Sequence, residues 1–175
     1  MNILENPFMQ ARLLIHLALQ DGRDLKKIDE GISKLLLEVE QDVALFFEQD
    51  PSIARPDCHP GCRWCCGFKT SVFPFETVRI VSFLQSRLSP DELTVLTGRV
   101  KKIDKRTRGL TLNQRAKLKV FCPLLVKGGC IAYQVRPMSC RAHLSTDEKA
   151  CKRAFYNYKN NRVNLCAYAL ELCTR

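Results

Sequence analysis

At 175 residues, 46% hydrophobic and 26% charged, the chain has the composition of a soluble globular protein, and its length allows a core without covalent staples. That describes one domain, residues 1–175, with two small lobes as the alternative. Its 28 Lys and Arg against 18 Asp and Glu leave a formal charge of +10, and its ten cysteines exceed what such a core requires.

The opening "MNILENPFMQARLLIHLALQDGR" carries an acid at Glu5 and no basic leader, and Arg12 and His16 interrupt its apolar run. Those features argue against a secretory signal and a membrane span, and they predict an amphipathic helix that includes His16. The expected location is a reducing cytoplasm, where clustered cysteines bind metal more often than they pair as disulfides. Residues 24–49 place Ile28, Ile32, Leu35, Leu36, Val39, Val43, Phe46 and Phe47 at intervals of three and four, the stripe of a long helix. Residues 1–50 thus form the N-terminal helices. Pro51 and Pro56 then force extended chain into a cysteine segment.

Past that segment, "TSVFPFE" reads as extended chain, and a helix is expected from about Phe75 to Leu88. "SPDE" at 89–92 starts another: Ser89 caps, Pro90 fits the first helical position, and Glu92 completes a capping box. This helix runs to about Arg108 and ends near Gly109. In it and beyond it Arg99, Lys101, Lys102, Lys105, Arg106, Arg108, Arg115, Lys117 and Lys119 face only Asp104. Such a run can bind phosphate backbones, but it holds no interleaved aromatics and no nucleic-acid motif, so a solvated face is the preferred reading. Pro123, Gly128, Gly129 and Pro137 predict loops and short extended pieces over 120–145. Thr146 is the expected cap of a final helical region, broken around Asn160 and Asn161. Residues 58–151 form a cysteine-cluster core and 152–175 the C-terminal helical region. The fold class is mainly α, with helices surrounding an irregular, loop-rich cysteine metal centre.

The stretch "CHPGCRWCCGF", residues 58–68, concentrates Cys58, Cys62, Cys65 and Cys66. Pro60-Gly61 is the preferred central pair of a type II turn, so His59 to Cys62 should fold back and bring thiols together on a loop. In extended backbone Cys65 and Cys66 would point in opposite directions. That alternation predicts that Cys58, Cys62 and Cys65 share one centre while Cys66 faces another metal or another edge of a cluster. A second group, Cys122, Cys130 and Cys140, lies on turn-rich chain, and Cys151 is the natural eighth ligand. Two zinc ions on eight thiolates would remove about four positive charges and leave the chain basic.

The block Cys58-x3-Cys62-x2-Cys65-Cys66, followed by "CPLL", "GCIAY" and "RPMSCR", resembles the cysteine-cluster family called the CxxCxxCC, or zinc- or iron-chelating, domain. The resemblance covers Cys58 to Arg141, about half the chain, and implies that Cys58, Cys62, Cys65, Cys66, Cys122, Cys130 and Cys140 are ligands of a metal or cluster. The family's aromatic-Pro pair after "CR" is replaced here by "AHLS", around His143. Some relatives are associated with flagellin lysine N-methylation and an iron–sulfur cluster.

Other residues are weighed against blander roles. The Cys58-x3-Cys62-x2-Cys65 spacing is also that of radical S-adenosylmethionine enzymes, but the chain beyond Cys65 reads as helix and loop rather than repeated βα units. His59 and His143 read as hydrogen-bond donors near thiolates or surface residues before metal ligands. Arg136 and Arg141 flank Cys140 and bond either sulfur and carbonyls or solvent. Trp64 reads as a packing lid, and Cys166 and Cys173 as small buried apolar residues on a helix. The expected function is a cytoplasmic metal-binding protein that chelates zinc or an iron–sulfur cluster, with metal as its partner and neither nucleic acid nor membrane. The alternatives are a cluster-dependent enzyme of methyl transfer or oxidoreduction, and, more weakly, a nucleic-acid-associated zinc protein. Sequence assigns no catalytic residue and does not separate zinc from iron, since both accept thiolates.

Overall fold

The computed structural model describes residues 25–157 and 165–174, together with 13, 15–17, 19, 20 and 163; the side chains of 25 and 172–174 lie outside that description. The chain divides into two compact units, Met1–Ala54 and Arg55–Arg175. The division falls between the stretches read as N-terminal helices and as the cysteine core.

In the first unit the described residues between 13 and 20 are helical, with Gln20 Nε2 and His16 Nε2 2.9 Å apart. Helix α1, Leu25–Gln49, follows. Of its apolar stripe, Ile32, Leu36, Val39 and Phe47 are buried, while Leu37 and Leu45 face solvent. Each fully buried large side chain contributes roughly 1.5–3 kcal/mol, so the stripe, rather than helix propensity, stabilises this element.

The second unit is mainly helical. Helix α2, Pro74–Arg87, and helix α3, Pro90–Thr107, are joined by a tight break at Leu88 and Ser89. The Ser89 hydroxyl accepts from Glu92 N–H at 3.3 Å and the Glu92 carboxylate accepts from Ser89 N–H at 2.8 Å, the reciprocal box expected of "SPDE". Gly109, at φ +75°, ends this helical run in the left-handed region where a Cβ is costly. A short helix α4, Leu112–Lys117, then starts on a second box, Thr111 with Gln114, which the sequence reading passed over.

From residue 120 onward the chain turns repeatedly. Strands β1, Leu125–Val126, and β2, Gly129–Cys130, form an antiparallel hairpin with Leu125 opposite Cys130. Its turn residues Lys127 and Gly128 both have positive φ, matching the right-handed twist of the strands. A 3₁₀ turn at Tyr133–Val135 and helix α5, Met138–Arg141, lead to helix α6, Glu148–Tyr156, and helix α7, Ala167–Thr174. Asp147, not Thr146, caps α6: its carboxylate accepts from Ala150 N–H at 2.8 Å, and an acceptor one residue earlier would fall outside the first turn. The expected break at Asn160 and Asn161 lies outside the described residues. Among the described residues, no helix is long and apolar enough to cross a membrane.

Two apolar clusters support this unit. One joins Trp64, Cys151 and Phe155 with Phe121 and Cys62; the other joins Leu84, Leu96 and Ala132 with Leu124, Cys130 and Val135. The loop cysteines therefore sit against separate pieces of core.

Candidate metal centre

The loop from Asp57 to Phe68 is built by its turns. Cys62 N–H donates to His59 O at 3.0 Å and Gly61 has φ +92°, as a type II turn around Pro60-Gly61 requires. Trp64–Gly67 then curls into a 3₁₀ turn, with Cys66 N–H donating to Arg63 O and Phe68 N–H to Cys65 O. This corrects the expectation of extended chain at Cys65 and Cys66. In the curl the two adjacent thiols shift each other's ionisation strongly, and the backbone alternation of a strand does not apply to them.

Glu148, at the start of α6, fastens this loop. Its carboxylate accepts from Trp64 Nε1 at 2.9 Å and lies 3.1 Å from His59 Nε2, while its own N–H donates to Asp57 at 3.0 Å. The paired imidazole is correspondingly easier to protonate than a free one. Trp64 closes the other side, with ring centroids 6.5 Å from Phe121, 5.9 Å from Phe155 and 5.9 Å from Tyr156. Ser145 adds a second tie: its N–H approaches Cys58 Sγ at 3.4 Å, its carbonyl accepts from Asp57 N–H at 2.8 Å, and its hydroxyl donates to Asp147 O at 3.2 Å.

The second cysteine group joins the first through backbone. Cys122 N–H donates to Cys66 O at 2.8 Å, and Ile131 N–H donates to Leu124 O at 3.0 Å beside the hairpin that carries Cys130. Cys140 rides on α5, whose first N–H, from Met138, donates to the buried Glu76 carboxylate at 2.8 Å. The same carboxylate accepts from Phe73 N–H at 2.9 Å, so one anion caps α2 and α5 together. Arg141 is buried and donates to the carbonyls of Gln134 and Arg136 at 2.9 and 3.1 Å, which fixes the turn before Cys140.

Electrostatically the cysteines form one society around Cys65. Its charge acts on the thiols of Cys58, Cys62, Cys66, Cys122, Cys130, Cys140 and Cys151. Cys65 itself is pulled down to about 7, first by the hydrogen bond from Cys66 and also by the nearby Arg136 guanidinium. That same bond is the main cause that raises Cys66. Burial pushes the thiols of Cys58, Cys62, Cys122, Cys130 and Cys151 up, and Cys140 up to about 12. Opposing burial, backbone N–H groups two residues further along, at Trp64, Leu124 and Ala132, reach the sulfurs of Cys62, Cys122 and Cys130 and favour the thiolate.

All eight expected ligands thus fall in one electrostatic neighbourhood and carry free thiols. As they stand, no group of three or more His, Cys, Asp or Glu side chains among the described residues is disposed to hold a metal ion. Thiols are nevertheless the donors a soft or borderline metal takes, Cys58 Sγ already receives the Ser145 N–H, and two buried polar atoms lack partners among the described residues. Arg115 Nε, whose charge lowers Cys122, and His143 Nε2 are both buried without a hydrogen-bond partner among the described residues. His143 is held toward its neutral form by burial, with its ring 5.7 Å from Phe68. Cys151 is 4% exposed and belongs to the Trp64 cluster; Cys166 is buried, and the Cys173 side chain is outside the described set.

Sequence reasoning passed over Glu148, Ser145 and Glu76, and read Arg115 only as one of the basic run. The indole N–H of a buried Trp64 signals the need for an acceptor, but nothing in the sequence says that Glu148 supplies it. Nor is the basic run only a solvated face. Arg99 donates to Pro123 O at 3.2 Å, Lys119 Nζ bonds Phe155 O, and Arg115 stands beside Cys122, while Lys101, Lys102, Lys105, Arg106 and Lys117 are exposed. Comparison of the chain with family models, curated proteins and solved structures finds no match.

Proposed function

We propose that this protein is a cytoplasmic metal-binding module that chelates zinc or an iron–sulfur cluster through Cys58, Cys62, Cys65, Cys66, Cys122, Cys130, Cys140 and Cys151. One observation supports the reading: two cysteine groups distant in sequence are joined through backbone, with Cys122 N–H donating to Cys66 O at 2.8 Å. A cell-interior core of this size has no structural use for so many neighbouring free thiols, whereas soft or borderline metals bind thiolate sulfur by preference. A bound metal would supply folding free energy to the loops, on the order of 10–16 kcal/mol for structural zinc in finger peptides. Side chains must draw inward from their present positions to make such a centre, which links occupancy to loop order.

Anaerobic purification followed by elemental analysis and an absorption spectrum tests this. Stoichiometric zinc in colourless protein, or iron and acid-labile sulfide in brown protein, supports the proposal. Folded, metal-free protein with paired cysteines refutes it.

A further inference from the structure

Helix α1 presents a second face to solvent. Its buried stripe is Ile32, Leu36, Val39 and Phe47. On the opposite side Lys34, Leu37, Gln41, Leu45 and Glu48 are all exposed, and at 3.6 residues per turn they fall within a sector of about 80°. Leu37 and Leu45 each keep about half their surface in solvent. Two exposed leucines alone say little; the pattern around them says more.

The stripe is self-complementary when the helix is reversed. Leu37 and Leu45 lie four residues either side of Gln41, and Lys34 and Glu48 lie seven residues either side. A two-fold axis through Gln41 therefore sets Leu37 of one copy against Leu45 of the other and Lys34 against Glu48, each twice. Gln41 meets its own copy on the axis, where an amide that both donates and accepts can bond to itself. The steps of seven from Lys34 to Gln41 to Glu48 are those of a seam between helices. Glu48 supplies an independent sign. It stands in the last turn of α1, where the helix dipole disfavours an anion, and that turn holds no cation. A parallel pairing would set Lys34 on Lys34 and Glu48 on Glu48, so charge selects the antiparallel one.

We propose that a second copy of this chain covers the exposed face of α1, as an antiparallel pair of helices centred on Gln41. A base at one end and an acid at the other suit neither a nucleic acid nor an anionic bilayer, which both call for one sign throughout. Four leucines and two peripheral ion pairs make a small interface, in the class of weak, concentration-dependent complexes. The charges set partner and direction more than strength.

Sedimentation velocity of the full chain tests this, in excess thiol reductant so that no intermolecular disulfide contributes, over a series reaching about 1 mM, the range of weak association. Wild-type chain should pass from monomer to dimer, and added salt should lower the dimer fraction. Lys34→Glu sets acid against acid at both ends, and Glu48→Lys sets base against base, so each alone should weaken the dimer by about tenfold. An equimolar mixture of the two variants regains both ion pairs in a heterodimer and should associate as wild type does. Misfolding cannot produce that rescue. A monomer throughout the wild-type series, which would leave the face to another partner or to solvent, overturns the proposal. So does a dimer that either reversal leaves unchanged, or a mixture that fails to associate when circular dichroism shows both variants folded.

Discussion

Gly67→Ala is the sharpest test of how the cysteine loop is seated. A Cβ added at Gly67 would stand 2.3 Å from both Cδ2 and Cε2 of Phe155, far inside ordinary contact. Space, not backbone conformation, is the constraint, because Gly67 lies within the 3₁₀ turn rather than in the left-handed region. The ring cannot simply step aside: Phe155 is 5% exposed, stacked on Phe121 at 4.5 Å, and packed against Trp64. Forcing one methyl into a packed core costs typically about 1–3 kcal/mol. At about 2–4 °C per kcal/mol for a chain of this length, Tm should fall by roughly 2–12 °C, measured at matched metal content. Phe155→Leu should make room, so the double variant should lose less than the two single losses added, by an interaction of about 0.5–3 kcal/mol. Wild-type Tm in Gly67→Ala, or strict additivity in the double variant, would refute the contact and with it the seating of the loop on α6.

Three further outcomes follow from the same geometry. Glu76→Ala removes the carboxylate that caps α2 and α5, and each hydrogen bond to such a charged group contributes about 1.5–3 kcal/mol; urea unfolding should show the loss, and thiol-protection kinetics should show Cys140 exposed. Glu148→Gln keeps an oxygen for the Trp64 indole but weakens the His59 pairing, so it should destabilise less than Glu148→Ala; equal losses, with equal shifts in Trp64 fluorescence, would count against the latch. In metal-depleted protein Cys65 should alkylate with half-maximal rate near pH 7, because the thiolate is the nucleophile and Cys66 holds it below the ordinary thiol value. Rate rises as pH passes upward through that point, and Cys66→Ala should move the midpoint upward; peptide mapping after iodoacetamide gives both numbers.

What was legible in the sequence was what short-range physics fixes. Periodicity at three and four gave α1 to within a residue, since a stripe of that length has no competing solution. "SPDE" announced α3 because its cap needs only four neighbouring residues, and Pro60-Gly61 announced its turn for the same reason. The α6 cap was misplaced by one because Thr146 and Asp147 are both competent acceptors, and only the position of the first free N–H groups chooses between them. Mainly helical architecture was legible too. The ties that gather the thiols were not: Glu148 to Trp64, Glu76 to Met138, and Cys122 to Cys66 each join residues dozens of positions apart.

The one local failure carries the most chemistry. Adjacent cysteines read as a strand would send their thiols apart, and a site would then need two faces. The 3₁₀ curl at Trp64–Gly67 instead keeps Cys65 and Cys66 close enough that each shifts the other's ionisation, and the reason for the curl is not local. Trp64 must reach the Phe121–Phe155 wall while its indole N–H reaches Glu148, and Gly67 must lie flat against Phe155. An extended chain rises about 3.3 Å per residue and would carry Gly67 roughly 10 Å beyond Trp64, too far for both to meet one aromatic ring. A 3₁₀ turn rises about 2 Å per residue and shortens the span to roughly 6 Å. The aromatic wall thus sets the backbone, and the backbone sets the thiol pair.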